Sequence, residues 1–190
     1  MIIDMVFVGG SDVLSGSVNG KRAFADLVKL LHEEPEEPSA VYLDFCAVTV
    51  ATASFLRDSV FAFKNYLRAS GSKHYSVVCN INASVYDELA LLATARNDVI
   101  VNCLCGKDGE IGQGSLIGEL DPKQQMTFDL VQRLKQADAN TLMTSFGESE
   151  GTKTTNAWNN RLSNLAQRGV IREFSKGRAK YYRPLLEKVS

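Results

Sequence analysis

The 190-residue chain has room for one large domain or two small ones, and its 45% hydrophobic and 23% charged content is ordinary for a protein that builds a core. No apolar run approaches the length of a bilayer span, and the opening MIIDMVFVGG lacks the basic n-region and cleavage pattern of a signal peptide. A cytoplasmic protein with no membrane partner is therefore expected. The net charge of −1 averages two unlike halves. Residues 1–120 carry 9 Lys+Arg against 15 Asp+Glu, a balance of −6, whereas residues 121–190 carry 12 against 7, a balance of +5. A basic segment behind an acidic one is the asymmetry expected when a single domain meets a polyanion.

Met1–Val8 reads as a strand ending at Gly9-Gly10, and the weakly patterned Asp12–Val18 as a short second strand. A helix starting at Asn19 or Gly20 places Ala23, Phe24, Leu27, Leu30 and Leu31 at helical spacing and stops in the acidic, proline-bearing Glu33–Pro38. Ala40–Phe45 is an apolar strand. A long helix follows, Thr52 to Ala69, with Phe55, Leu56, Val60, Phe63 and Leu67 inward. Tyr75–Ile81 is the next strand, Asn82 or Ser84 caps a helix over Val85–Ala95, and Val99–Cys105 is the final strand. Strands alternating with helices predict an α/β domain, a mixed or parallel sheet with helices packed on it. The glycine-rich Gly106–Gly114 reads as turns, so the expected division is a domain over 1–106, a linker over 107–120 and a second domain over 121–190.

Cys46, Cys79, Cys103 and Cys105 lie in or beside strand-like runs and lack the paired spacing of a metal site. Cys103-x-Cys105 on a strand would send its thiols to opposite faces. Buried, reduced core cysteines and no metal centre are expected.

The run AVYLDFCAVTVATASFL, with the element order around it, resembles the STAS family of the anti-sigma-factor-antagonist type, and more closely its STAS-like bacterial branch. The resemblance covers about residues 1–106. It implies a strand ending at Leu43-Asp44-Phe45, then a loop, then a helix carrying a functional serine. Here Thr52-Ala53 stands where phosphorylatable members have Asp-Ser, and Ala53 has no hydroxyl to modify. Thr52, Ser54 and Asp44 remain as regulatory candidates. Each also has a plainer reading: hydroxyls at a helix start cap it, and a strand-end carboxylate accepts from loop amides. No second carboxylate, metal triad or phosphate loop accompanies Asp44, so neither enzymatic activity nor a cofactor is expected.

In the last 70 residues, Asp121-Pro122 starts a helix running to about Gln136, with Met126, Leu130, Val131 and Leu134 on one face. A shorter helix spans Asn140–Phe146. A third, Lys153 to Arg168, buries Trp158, Leu162 and Leu165 and turns Lys153, Thr155, Asn156, Asn159, Asn160, Ser163 and Gln167 outward. No carboxylate interrupts Lys153–Arg168. Asn and Gln pair bidentately with adenine, Ser and Thr adapt, and Lys reaches phosphate. After Gly169, Val170–Phe174 and Ala179–Arg183 form a hairpin around the basic tip Ser175–Arg178, with Lys176 and Arg178 at the tip and Arg172, Lys180 and Arg183 beside it.

NNRLSNLAQRGVIREFSKGRAKYYRPL resembles the winged helix-turn-helix family, through Leu165-x-x-Arg168-Gly169-Val170-Ile171 and Tyr181-Tyr182-x-Pro184. The likeness covers about Asp121 to Leu185 and implies a third helix in the DNA major groove and a wing on the backbone or minor groove. The expected protein is a homodimeric transcription regulator that binds double-stranded DNA, its STAS-like half serving dimerisation, sensing or protein docking. The alternative is a non-enzymatic adaptor whose winged helix binds protein.

Overall fold

The computed structural model describes residues 1–106, 109–112, 114–177 and 179–186. They divide into two compact units, Met1–Glu119 and a second that begins at Leu120.

The first unit is built on five strands: β1 (Ile2–Asp4), β3 (Ser39–Asp44), β5 (His74–Cys79), β6 (Ile100–Cys103) and β7 (Ser115–Ile117), side by side in the order β1-β3-β5-β6-β7. The first four run parallel, with Ile3 beside Leu43 and Leu43 beside Val78, while β7 closes the edge antiparallel to β6. The sheet is thus mixed. Two short strands, β2 (Val13–Leu14) and β4 (Val50–Ala51), form a separate parallel pair.

The strand expected over Met1–Val8 survives only in its first half. The Asp4 carboxylate accepts from the Val6 amide at 2.8 Å, so the apolar run MVFV turns into α1 (Met5–Gly9), ended by Gly10 in the left-handed region at φ 74°. The next helix, α2 (Ser17–Leu30), starts before Asn19 and buries Gly20, Ala23 and Leu27. Gly20 is a crossing point: a Cβ there would lie 2.7 Å from the Phe55 carbonyl oxygen, a backbone atom that cannot rotate away. Gly20→Ala should therefore destabilise this unit by about 1–3 kcal/mol through overpacking, even though alanine favours a helix over glycine by about 1 kcal/mol. Chemical denaturation checks this, and an unchanged or raised midpoint would show that the two helices can simply part.

The helix expected from Thr52 to Ala69 forms as α3 (Ala53–Leu56), a π-helical turn (Arg57–Phe61) and α4 (Ala62–Ala69). Phe55, Leu56, Val60, Phe63 and Leu67 are all buried. Within it the buried Ser59 hydroxyl donates to the Phe55 carbonyl at 2.7 Å. From α4 the Lys64 ammonium reaches down to pair with the Asp98 carboxylate and donates to the Val99 carbonyl at 2.6 Å. The two side chains are 7% and 16% exposed, so this ion pair sits inside the fold. Asp98 follows α5 (Ala83–Arg96), which Asn82 caps by accepting from the Val85 amide at 2.9 Å.

Two expectations for the region after β6 are corrected. The span read as a linker, 107–120, contains β7, whose Ile117 is fully buried opposite Ile100. Three residues between glycines are too short a run to show strand alternation. The cysteine reading also changes. Cys46 is exposed, and Cys103 and Cys105 do not oppose one another: β6 ends at Cys103, Cys105 pairs separately with Ile111, and the two Sγ atoms lie 3.8 Å apart. Burial pushes the Cys103 thiol up to about 12 and raises Cys79 further still, so both stay protonated near neutral pH.

The second unit has three helices and a ribbon. Asp121 accepts from the amides of Lys123 and Gln124 and, with Pro122, starts α6 (Pro122–Leu134). Asp138 caps α7 (Ala139–Phe146) and Thr154 caps α8 (Thr155–Gln167). The strands β8 (Ile171–Lys176) and β9 (Ala179–Pro184) form an antiparallel hairpin. Ala137, between α6 and α7, exchanges both backbone hydrogen bonds with Tyr182, at 2.8 and 2.9 Å, and so adds a third short rung to the ribbon. Leu130, Val131, Leu142, Trp158, Leu162, Leu165, Ile171 and Tyr182 fill the core. Leu134, expected inward, is 38% exposed, because α6 buries Thr127, Leu130 and Val131 and Leu134 falls in its last turn. Among the described residues, no helix is long and apolar enough to cross a membrane, and no group of three or more His, Cys, Asp or Glu is placed to hold a metal ion.

Candidate nucleic-acid interface

Helix α8 buries one stripe and exposes another. Trp158, Leu162, Leu165 and Ala166 face the core, and the Trp158 indole N–H donates to the Thr152 carbonyl at 2.9 Å. Asn156, Asn159, Asn160, Ser163 and Gln167 are exposed, and at 100° per residue they fall on one side of the helix. Amides and a hydroxyl make that side, with no carboxylate. Each amide offers both a donor and an acceptor, so the face can meet a surface of mixed polarity without repelling a phosphate backbone.

Two residues expected outward take other positions, and a further amide, Asn164, is tied to a neighbouring helix. Lys153 is exposed but precedes the cap, so it belongs to the loop and not to the helix. Thr155 is half-buried, and its hydroxyl donates to the Met143 sulfur of α7 at 3.2 Å. Asn164 accepts from the Gln124 side-chain amide at 2.8 Å, tying α8 to α6. Both arginines of this stretch are engaged as well. Arg161 lies 5.1 Å over the Trp158 ring and donates to the Thr152 hydroxyl at 3.0 Å, and Arg168 donates to the Gln124 side-chain Oε1 at 2.8 Å.

On the ribbon, Lys176 is exposed at the end of β8, where Gly177 turns the chain at φ 61°. Arg178 lies outside the described residues. Lys180 is exposed and ion-paired with Glu173 at 2.7 Å. Arg172 is half-buried: its Nε donates to the Pro184 carbonyl at 3.0 Å, and the guanidinium stands 5.5 Å over Phe174. The Arg183 guanidinium donates through Nε and one terminal nitrogen to the Gln136 side-chain Oε1, at 3.0 and 2.9 Å. Lys176, Lys180, Arg183, Tyr181, Gln136 and Asp138 line a concavity of about 410 Å³ at the side of the ribbon. Sequence reasoning missed Gln136 there, since the fold alone brings it to Arg183 from 47 residues away.

Helix and ribbon are joined directly. The Ser163 hydroxyl is hydrogen-bonded to the Tyr182 hydroxyl at 3.2 Å, which in turn donates to Glu173 at 3.3 Å. Burial raises the Tyr182 hydroxyl above its usual pKa, so it stays protonated and keeps a proton for this chain of contacts.

The candidates of the first unit sit in ordinary local roles. Asp44 accepts from the Cys46 amide at 3.0 Å and the Asn80 side-chain amide at 2.9 Å. Thr52 caps α3, accepting from Phe55 at 3.4 Å and from the Gly16 amide at 3.3 Å, and its hydroxyl is 3.2 Å from that of Ser54. No family model matches the chain, and no curated protein matches it either.

Proposed function

We propose that the second unit is a winged helix-turn-helix that binds double-stranded DNA, with α8 entering the major groove and the β8–β9 ribbon as the wing. The observation that carries this reading is the carboxylate-free amide face of α8 standing in the same unit as the exposed cation Lys176. The face supplies base-edge partners and the ribbon supplies backbone neutralisation. The helix order, the turn at Gly169 (φ 73°) and the rung from Ala137 to Tyr182 agree with that fold. The first unit, read as STAS-like, would supply dimerisation, sensing or partner docking to a homodimeric transcription regulator. Its exposed Phe7 and Val18, 77% and 67% accessible, also support the adaptor reading, in which the protein docks partners without touching DNA.

Duplex binding measured against salt separates the two. A phosphate-contacting protein loses affinity linearly in log–log salt, and Lys176→Ala should lower the slope by about one while weakening all sequences alike. Absent or salt-insensitive binding would favour the adaptor.

A further inference from the structure

The exposed face of α8 has an imbalance that bears on which bases it can read. Guanine is most often read by a bidentate Arg or Lys on its O6 and N7, and adenine by a bidentate Asn or Gln on its N6 and N7. The face consists of Asn156, Asn159, Asn160, Ser163 and Gln167. The arginines that could have read guanine from this helix are held elsewhere: Arg161 is half-buried over Trp158, with one terminal nitrogen on Thr152 and the other buried, and Arg168 is drawn to Gln124 on α6. Lys153 precedes the helix and is not part of the face.

Resting on the DNA-binding reading above, we infer that α8 is an adenine reader, and that the protein selects A·T-rich duplex through the major groove. Asn160 lies near the middle of the exposed stripe and Asn159 at its edge, both without the ties that hold Thr155 and Asn164 to neighbouring helices. Releasing either arginine would cost a contact that holds α8 in its unit. The preference is therefore built into how the helix is seated as well as into its composition.

The test uses the full chain with two random duplex pools, one A·T-rich and one G·C-rich, at fixed salt. Tighter binding to the A·T-rich pool, on the order of tenfold or more, is expected. Replacing adenine by 7-deazaadenine in a selected A·T sequence removes the N7 acceptor and should lose affinity by a similar factor. Replacing guanine by 7-deazaguanine should change nothing. Asn159→Ala should shrink the pool preference and leave the salt slope as it was. Salt-dependent binding that is equal for the pools, or that favours G·C, overturns the inference and leaves DNA binding standing. An A·T preference that survives 7-deazaadenine also overturns it, because the selectivity would then come from the minor groove or from duplex shape. Failure to bind either pool overturns the DNA-binding reading itself, and this inference with it.

Discussion

Asp98→Ala is expected to lower the stability of the first unit by about 3–5 kcal/mol, one of the two largest single effects anticipated in the protein. The reason is the partner left behind. Lys64 is 7% exposed, and without Asp98 its ammonium keeps the Val99 carbonyl but loses the carboxylate that faces it. A buried charge that loses its counter-ion bears its full desolvation cost, whereas removing both charges together is close to neutral when the replacements pack well. Lys64→Met in the Asp98→Ala background should therefore recover much of the loss. Far-UV circular dichroism in denaturant measures both variants. A single-mutant loss under about 1 kcal/mol would mean that water reaches the ammonium in solution.

The second unit should respond as strongly to Trp158→Ala, with about 3–5 kcal/mol lost on emptying the site of its largest side chain. Trp158→Phe distinguishes shape from polarity. It keeps a ring beneath Arg161 but strands the Thr152 carbonyl, at about 1–3 kcal/mol for an unsatisfied buried group. Because Trp158 is the chain's single tryptophan, its fluorescence in the wild type follows the second unit alone. The variants are then compared with it by circular dichroism or amide exchange. If Trp158→Ala leaves amide protection in α8 intact, the indole is not the keystone of that unit.

Much of this architecture was legible because local signals and packing agreed. Asn82 before Val85, Asp121 before Pro122, and the inward row Phe55, Leu56, Val60, Phe63, Leu67 all sit where cap chemistry and helical spacing put them. The misses share a cause: a short signal overruled by a neighbour. MVFV is apolar enough for a strand, but the Asp4 side chain captures the Val6 amide and bends it into a helix. β7 is three residues in a glycine-rich stretch, visible only once β6 offers it an edge. In the candidate site, the outward set on α8 could be read from periodicity, but the attachments of its charged neighbours could not. Nothing near Lys180 in sequence announces Glu173 across the hairpin, and Thr155 turns toward Met143 because α7 crosses there.

The rung between Ala137 and Tyr182 has a mechanical consequence. Two backbone hydrogen bonds clamp the root of the hairpin to the segment between α6 and α7, and the Tyr182 hydroxyl reaches Ser163 on the outer side of α8. Held that way, the root of the ribbon keeps a spacing to the helix face that the fold itself sets, before any ligand arrives. A ligand spanning both would meet a template whose pitch is already set, and the entropy of ordering would fall mainly on the exposed amide and lysine side chains.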